Sequence, residues 1–520
     1  DVVMKRLTLA LLIGLAQLPI MTLTHAAANT ENESHSSTDV DPNAPIVALD
    51  KLTSLKQTQP LQVSLPQIEH FTTANGTPVA FVSTTNLPIV DVSLYFNAGS
   101  ARDEAIKQGG YGIASLTAAL LDQGTANHSE NELAELTEQL GINLGATAYK
   151  DMFIVSLRSL SDSKYLTPAV DLMSEIISTP TFDQDNLDRT KARYLVGLQR
   201  AKEDPDTIAS NAFAKALFGD HPYAHPSSGT EQSIPAISQT DLQNFAKQFL
   251  VARNANIAIT GNLTLAQAQA LANQLTANLP IGTPAPALPI AKPLTTSKHI
   301  HIPFDSTQTS IIIGQLGEQR SSEPSVLQRQ TNFAIADEVV GGSSFQARLM
   351  ADIRKKRGLT YGVYSSMTPM QSRGAYTISF STRNEKADEA VKATLDVVNE
   401  VVKQGISANE LALTKESQIN SFPLSLSSNA SINSSLGMMG FYHLPDSYLT
   451  NYVNRVQQAD LTQVNTSYNT LVDPNKFLIV TVGNANANPK PKLTNKVKKT
   501  AAKTTSQTTR TSANTPSVKK

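Results

Sequence analysis

The chain contains no cysteine. That single absence excludes a disulfide framework, thiolate metal ligands and a cysteine nucleophile together, so packing must supply the stability. Charge of one sign is missing as well. The 43 Lys and Arg nearly balance the 44 Asp and Glu, leaving a formal charge of -1, which points to neither nucleic acid nor a membrane surface as a partner. No HExxH, GxSxG or phosphate-cradling glycine loop occurs, and with them go the usual signatures of other hydrolase and nucleotide chemistries. What is present is 520 residues, 40% hydrophobic and 17% charged, the composition of a soluble globular protein with room for two or three domains.

The first 28 residues read as a secretory signal peptide. Met4-Lys5-Arg6 is a basic start, LTLALLIGLAQLPIMTL an apolar stretch interrupted by Gln17 and Pro19, and Ala26 to Ala28 a small-residue cleavage region. The expected location is the periplasm, ahead of full export. Residues 29–64 are polar and read as a disordered lead-in, and residues 486–520 form a basic tail with nine Lys or Arg and no acid. Such a tail suits either an anionic surface or plain solvation.

Between these ends lie two halves joined by the proline-rich PIGTPAPALPIAKP, giving expected domains at 65–279 and 297–485 with a linker at 280–296. In the first half, alternation predicts strands at 76–82, 89–96 and 255–261, and a hairpin at 143–149 and 152–157. Helices are expected at 130–140, 164–177, 184–202 and 238–249. The second half echoes the first. ANIAITGN at 255–262 answers KFLIVTVGN at 476–484, and NLDRTK at 186–191 answers ELALTK at 410–415, with offsets of about 222 and 224 residues. A duplication explains both, and the alternating runs of strands and helices favour an α+β class.

One segment, QGGYGIASLTAALLDQGT at 108–125, has an unusual helix. Ile113, Leu116, Thr117, Leu120 and Leu121 recur with helical spacing and form a core stripe. The opposite stripe holds Ser115, Ala118 and Ala119, where a water-facing helix would carry charge. It is either buried on both sides or turned toward a cavity. The frame around it resembles the segment that carries the inverted zinc motif HxxEH in the insulinase (pitrilysin-type) metallopeptidase family. The resemblance places that motif's first His, Glu and second His on Ser115, Ala118 and Ala119, and the family's last zinc ligand, a Glu on a later helix, on Gly197 or its neighbour Val196. None of these side chains can ligate zinc, and catalytic zinc requires about three protein ligands and a general base. The resemblance spans about residues 65 to 485 and implies two duplicated halves, each a mostly antiparallel sheet flanked by helices, enclosing a chamber.

In the second half, GGSSFQARLMADIRKKRGLTYGVYSS resembles the family segment that supplies an Arg and, seven residues later, a Tyr. Here these are Arg354 and Tyr361, which the resemblance implies hydrogen-bond substrate carbonyls or the oxyanion. Capping the helix and packing its turn is the alternative for both. Lys355, Lys356 and Arg357 read as a solvated helix end. Among the histidines, the alternating His299 and His301 have no third ligand in register, His221 and His225 sit in a turn-shaping loop, and His128 precedes a helix start.

These readings lead to an expectation of half a site: no metal in this chain, zinc in an HxxEH-bearing insulinase-family partner, and peptide substrates contacted by Arg354 and Tyr361. A peptide-binding or assembly scaffold is the alternative, and an independent hydrolase lacks any nucleophile constellation.

Overall fold

The computed structural model describes residues Ser64–Ala485; the signal peptide, nearly all of the lead-in and the basic tail lie outside the described residues. The first half builds a six-stranded sheet from β1 (Glu69–Thr72), β2 (Pro78–Ser83), β3 (Ile89–Phe96), β4 (Asn143–Ala148), β5 (Phe153–Leu160) and β6 (Ala255–Gly261), in the order β1-β2-β6-β3-β5-β4. The second builds a five-stranded sheet from β7 (Lys298–Phe304), β8 (Gln308–Leu316), β9 (Tyr364–Met367), β10 (Ala375–Arg383) and β11 (Leu478–Asn484), in the order β7-β11-β8-β10-β9. Both sheets are mixed, because β2 runs parallel to β6 and β7 parallel to β11, while every other pairing is antiparallel.

The main helices of the first half are α1 (Ile113–Leu120), α2 (Glu130–Leu140), α3 (Ser163–Ser178), α4 (Gln184–Ala201), α5 (Pro205–Phe218), α6 (Gln239–Phe249) and α7 (Leu265–Thr276). Those of the second are α8 (Pro324–Gly341), α9 (Ala387–Gln404), α10 (Ala408–Ser421), α11 (Asn429–Phe441) and α12 (Leu461–Leu471). None of the described helices is long and apolar enough to cross a membrane. The core stripe of α1 is fully buried, with Ile113, Leu116, Thr117, Leu120 and Leu121 all without exposure.

The two halves share side-chain devices. Lys191 on α4 donates to Pro235 O just before α6, and Lys415 on α10 donates to Gln457 O and Ala459 O just before α12. Gly261 and Gly483 close the equivalent strands β6 and β11 at φ 157° and 145°. A Cβ would lie 2.4 Å from Ile89 O at Gly261 and 2.8 Å from Gln308 O at Gly483, so the close approach of the neighbouring strand requires glycine at both places.

The halves exchange helices. α5 belongs to the first half by sequence but packs on β8 and β11, where Ala209, Phe213 and Leu217 meet Ile312, Leu316, Leu478 and Val480. α11 does the reverse, lying on β2, β3 and β6 with Ile432 and Leu436 against Val82 and Ala258. Polar bonds tie α11 down: Ser93 Oγ donates to Asn433 Oδ1 at 2.7 Å and Asn433 Nδ2 to Asp91 O at 3.0 Å. Size complementarity is inverted between the two copies. Tyr95 on β3 presses on Gly437 of α11, whereas the equivalent contact sets Gly314 of β8 against Phe213 of α5. Each crossing therefore holds one aromatic ring and one glycine, with the partners swapped.

That packing gives a prediction of sign. A glycine within a helix normally gains about 1 kcal/mol on replacement by alanine. At Gly437 a Cβ would sit 2.0 Å from the Tyr95 ring, and overpacking of this kind costs about 1 to 3 kcal/mol. Gly437→Ala should therefore destabilise the wild-type chain and become neutral or stabilising in a Tyr95→Ala background. Denaturant midpoints of the four proteins in the cycle read this directly. Additive effects would contradict the exchanged packing.

Candidate functional site

The helix carrying Ser115, Ala118 and Ala119 is positioned from both ends of its own half. Asp103, 1% exposed, accepts from Gly112 N and Ala114 N, each at 2.8 Å, and so fixes the start of α1. Burial pushes this carboxyl up to about 7 against the opposing pull of those two backbone donors. Across from it, Lys150 Nζ donates to His225 O, and burial lowers the ammonium to about 8. Tyr111 stacks on His225 with ring centres 3.7 Å apart. The loop containing His221 and His225 is thus clamped beside α1, and His221 Nε2 reaches Pro289 O of the linker at 2.7 Å. Both histidines serve structure, as the loop's composition suggests.

Ser115 completes the clamp. Its Oγ donates to Ser227 O at 2.7 Å, and Tyr194 on α4 donates its phenol to Ser115 O at 3.1 Å. Ala118, Ala119 and Gly197 all line one pocket of ≈740 Å³. Three of the four positions singled out by the degenerate motif therefore share one cavity, while Ser115 ties the adjacent loop. A Cβ at Gly197 would meet nothing within 4 Å. The cavity is also bordered by Asp122, Arg193, Tyr194 and the edge strand β4 through Gly145 and Ala146. Sequence reading did not single out these residues, although Arg193 and Tyr194 precede Gly197 by one helical turn and could have been found by counting along that face. Among the described residues no group of three or more His, Cys, Asp or Glu is arranged to hold a metal ion. The side chains at the motif positions, a hydroxyl, two methyls and a hydrogen, do not fit zinc.

Arg354 and Tyr361 lie elsewhere and do not line this pocket. Arg354 sits in a π-helical segment, Met350–Lys356, a conformation that re-aims side chains and recurs at functional sites. Its guanidinium carbon stands 4.9 Å from the centre of the Phe345 ring, a cation–π contact that holds the head group without consuming its N–H donors. Gly358, at φ 62°, ends the segment. Beyond it the loop is pinned by Leu359, 4% exposed, and by Thr360 Oγ1 donating to Ser381 O at 2.8 Å. Tyr361 projects from this fixed loop and is 87% exposed, so it does not pack the turn. Phe345 and Tyr364 are exposed as well. Of the adjacent basic residues, Lys355 is exposed, while Arg357 Nε bonds Asp352 Oδ2 at 2.7 Å and is held rather than freely solvated.

The remaining histidines are accounted for. His299 and His301 lie on one face of β7 and both reach Thr481 Oγ1, at 3.2 and 2.9 Å, so they share a hydroxyl instead of standing in solvent alone. His128 Nδ1 lies 2.8 Å from Glu175 Oε1, immediately before the capping box formed by Ser129 and Glu132 at the start of α2.

A buried junction joins the halves and was not visible in the sequence. Asp151, 3% exposed, accepts from Tyr223 OH, from Gln371 N at 2.9 Å and from Tyr442 OH at 3.0 Å. Burial raises its carboxyl, opposed by these three donors and by nearby Arg102. Tyr442 in turn lies 5.3 Å from the guanidinium carbon of Arg320, which also stands 5.9 Å from Tyr448.

Two α+β units, each a mixed sheet flanked by helices, therefore make up the described residues. The insulinase (peptidase family M16) model matches residues 78–231, and the model of the M16 inactive domain matches residues 236–418. The chain belongs to this family. A peptidase M16 inactive domain from Pseudomonas fluorescens is 38% identical, with a TM-score of 0.76 over 80% of this chain and 98% of that one. A Helicobacter pylori protein named a non-peptidase homolog is 25% identical over 394 residues, 75% of this chain and 87% of its own length. A Bacillus subtilis protein named an uncharacterized zinc protease is 22% identical over 398 residues, 76% of this chain and 94% of its own length.

Proposed function

We propose that this chain is the non-catalytic subunit of a periplasmic two-chain zinc peptidase. In this reading the halves at 65–279 and 297–485, joined by the linker at 280–296, close a chamber together with an HxxEH-bearing partner, which holds the zinc and hydrolyses peptides. This chain contributes Arg354 and Tyr361. The observation that carries the reading is the asymmetry of the site. The metal-ligand and general-base positions are Ser115, Ala118, Ala119 and Gly197, whereas the Arg354 and Tyr361 side chains donate to no described residue, and the phenol stands almost fully in solvent. Unused donors carried on a pinned loop are available to a transition-state oxyanion. The non-peptidase name of the Helicobacter relative agrees with loss of catalysis in a chain of this kind.

Affinity capture of the tagged chain from its native cell envelope is the test. A co-purifying chain that contains HxxEH, with the captured protein starting near Ala27 to Asn29, is expected. Capture without any HxxEH-bearing chain would favour a peptide-binding or assembly scaffold, and an intact Met4 on a cytosolic product would exclude the periplasmic assignment.

A further inference from the structure

The Arg354 side chain is held by an aromatic ring and by no acid. It forms no ion pair and no hydrogen bond among the described residues, and its guanidinium carbon stands 4.9 Å from the centre of the Phe345 ring. The acid nearest in sequence, Asp352, is taken by Arg357 Nε at 2.7 Å and approached by Lys356 Nζ at 3.6 Å. Phe345, for its part, supports no core. The ring is 57% exposed and, among the described residues, joins none of the apolar clusters. Yet the turn that presents it is fixed on both sides. Ser344 Oγ accepts from Gln346 N at 3.1 Å and Ser344 O from Ala347 N at 3.0 Å, and Ala347 is buried. Just beyond, Arg348 makes two bonds of 2.8 Å to the Glu410 carboxylate. Just before, Gly341 lets the end of α8 close on β9, where a Cβ would lie 2.3 Å from Ser365 Oγ.

We propose that Phe345 is the positioning residue of Arg354: its ring holds the guanidinium in place for a bound peptide and leaves both the charge and the N–H groups for that peptide. The inference rests on the two-chain reading, in which Arg354 meets substrate. What carries it is the choice of a ring over a carboxylate. A carboxylate would grip the guanidinium through two parallel hydrogen bonds, and in doing so would cancel its charge and occupy the donors that a carbonyl or an oxyanion needs. A π face attracts the same cation through its quadrupole and takes up none of the donors at the guanidinium edge. A long side chain left unheld would have to be ordered at each encounter with substrate, so a ring on a fixed turn removes part of that cost before the peptide arrives. Phe345 acts through Arg354 and touches no reacting atom.

Two measurements test the role, one on the chain alone and one on the mixed pair. NMR of the full chain with isotope-labelled arginine, its Arg354 signals assigned by their loss in Arg354→Ala, should show side-chain protons shifted upfield by the ring. Phe345→Leu should remove that shift and Phe345→Tyr keep it, with thermal unfolding midpoints near wild type because the ring is exposed. In the pair, Phe345→Leu should lower kcat/KM about two- to fivefold, the range of an exposed cation–π contact. Phe345→Tyr should restore it, and Phe345→Leu should add nothing in an Arg354→Ala background. Phe345→Glu separates holding the guanidinium from occupying it. That variant should fix Arg354 and still lower kcat/KM by more than about tenfold, because the new carboxylate takes the donors. No ring shift in the wild-type chain, full activity in Phe345→Leu or Phe345→Glu, or the same loss from Phe345→Leu with and without Arg354 would overturn the proposal. A mixture no more active than the partner alone would overturn the two-chain reading and this role with it, and an intact ring shift would then place the failure in that reading and not in the contact.

Discussion

Arg354→Ala and Tyr361→Phe should each lower the peptidase activity of the reconstituted two-chain enzyme by about 10² to 10³, the usual cost of removing one oxyanion donor, while leaving folding and partner binding intact. The structural reason is that neither side chain supports the fold. Tyr361 is 87% exposed, and Arg354 rests against an exposed Phe345 ring. The loss should fall on kcat if the contact forms only in the transition state, and on KM if it holds the ground-state peptide. Lys355→Ala and Lys356→Ala are the controls. Both residues are exposed, and Lys356 only approaches Asp352, at 3.6 Å, so small effects are expected. Steady-state cleavage of a fluorogenic peptide, with the partner's zinc content checked, measures all four. Unchanged activity in the Arg354 and Tyr361 variants would return the chain to the scaffold class.

The second large effect is a gain. Ser115→His, Ala118→Glu, Ala119→His and Gly197→Glu, introduced together, should take the purified chain from no bound zinc to one ion per molecule. Positions 115 and 119 lie one helical turn apart on α1. The Gly197 Cβ direction is open, and Ala119 and Gly197 border the same cavity. Omitting Ala118→Glu should preserve zinc binding and abolish any peptidase activity the full graft acquires, because that Glu acts as the general base and is not a ligand. The cost is the Ser115 bond to Ser227 O, a neutral hydrogen bond worth about 1 kcal/mol. Plasma mass spectrometry after gel filtration reads the metal. A quadruple variant that folds and holds no zinc would contradict the assignment of these positions.

These expectations rest on parts of the molecule that differ in how openly the sequence displays them. The repeat was legible because ANIAITGN and KFLIVTVGN became β6 and β11, strands buried on both faces, whose apolar runs and closing glycines are dictated locally. The stripe of α1 was legible for the same reason, since helical spacing alone separates its core side from Ser115, Ala118 and Ala119. Reciprocal exchange of α5 and α11 was not legible. Which sheet a helix covers depends on contacts formed hundreds of residues away, such as Ser93 with Asn433, and no local period encodes them. Asp151 was missed on the same grounds, because Tyr223, Gln371 and Tyr442 meet it only after both halves are assembled. The sheets are mostly antiparallel, as expected, with one parallel pairing in each that the sequence did not display. The parallel pairings of β2 with β6 and β7 with β11 arise from long crossovers whose ends share no sequence signal.

The central claim is that this chain has lost the metal half of a zinc peptidase site and completes the other half for a partner. Its most direct test compares three samples under one assay: the purified chain alone, the HxxEH-bearing partner alone, and the two mixed at equal concentration, each with its zinc content determined. The account predicts no zinc and no cleavage for the chain alone, one zinc and weak cleavage for the partner, and a rise of at least a hundredfold on mixing with no added metal. Stoichiometric zinc in the isolated chain, or a mixture no more active than the partner by itself, would contradict it.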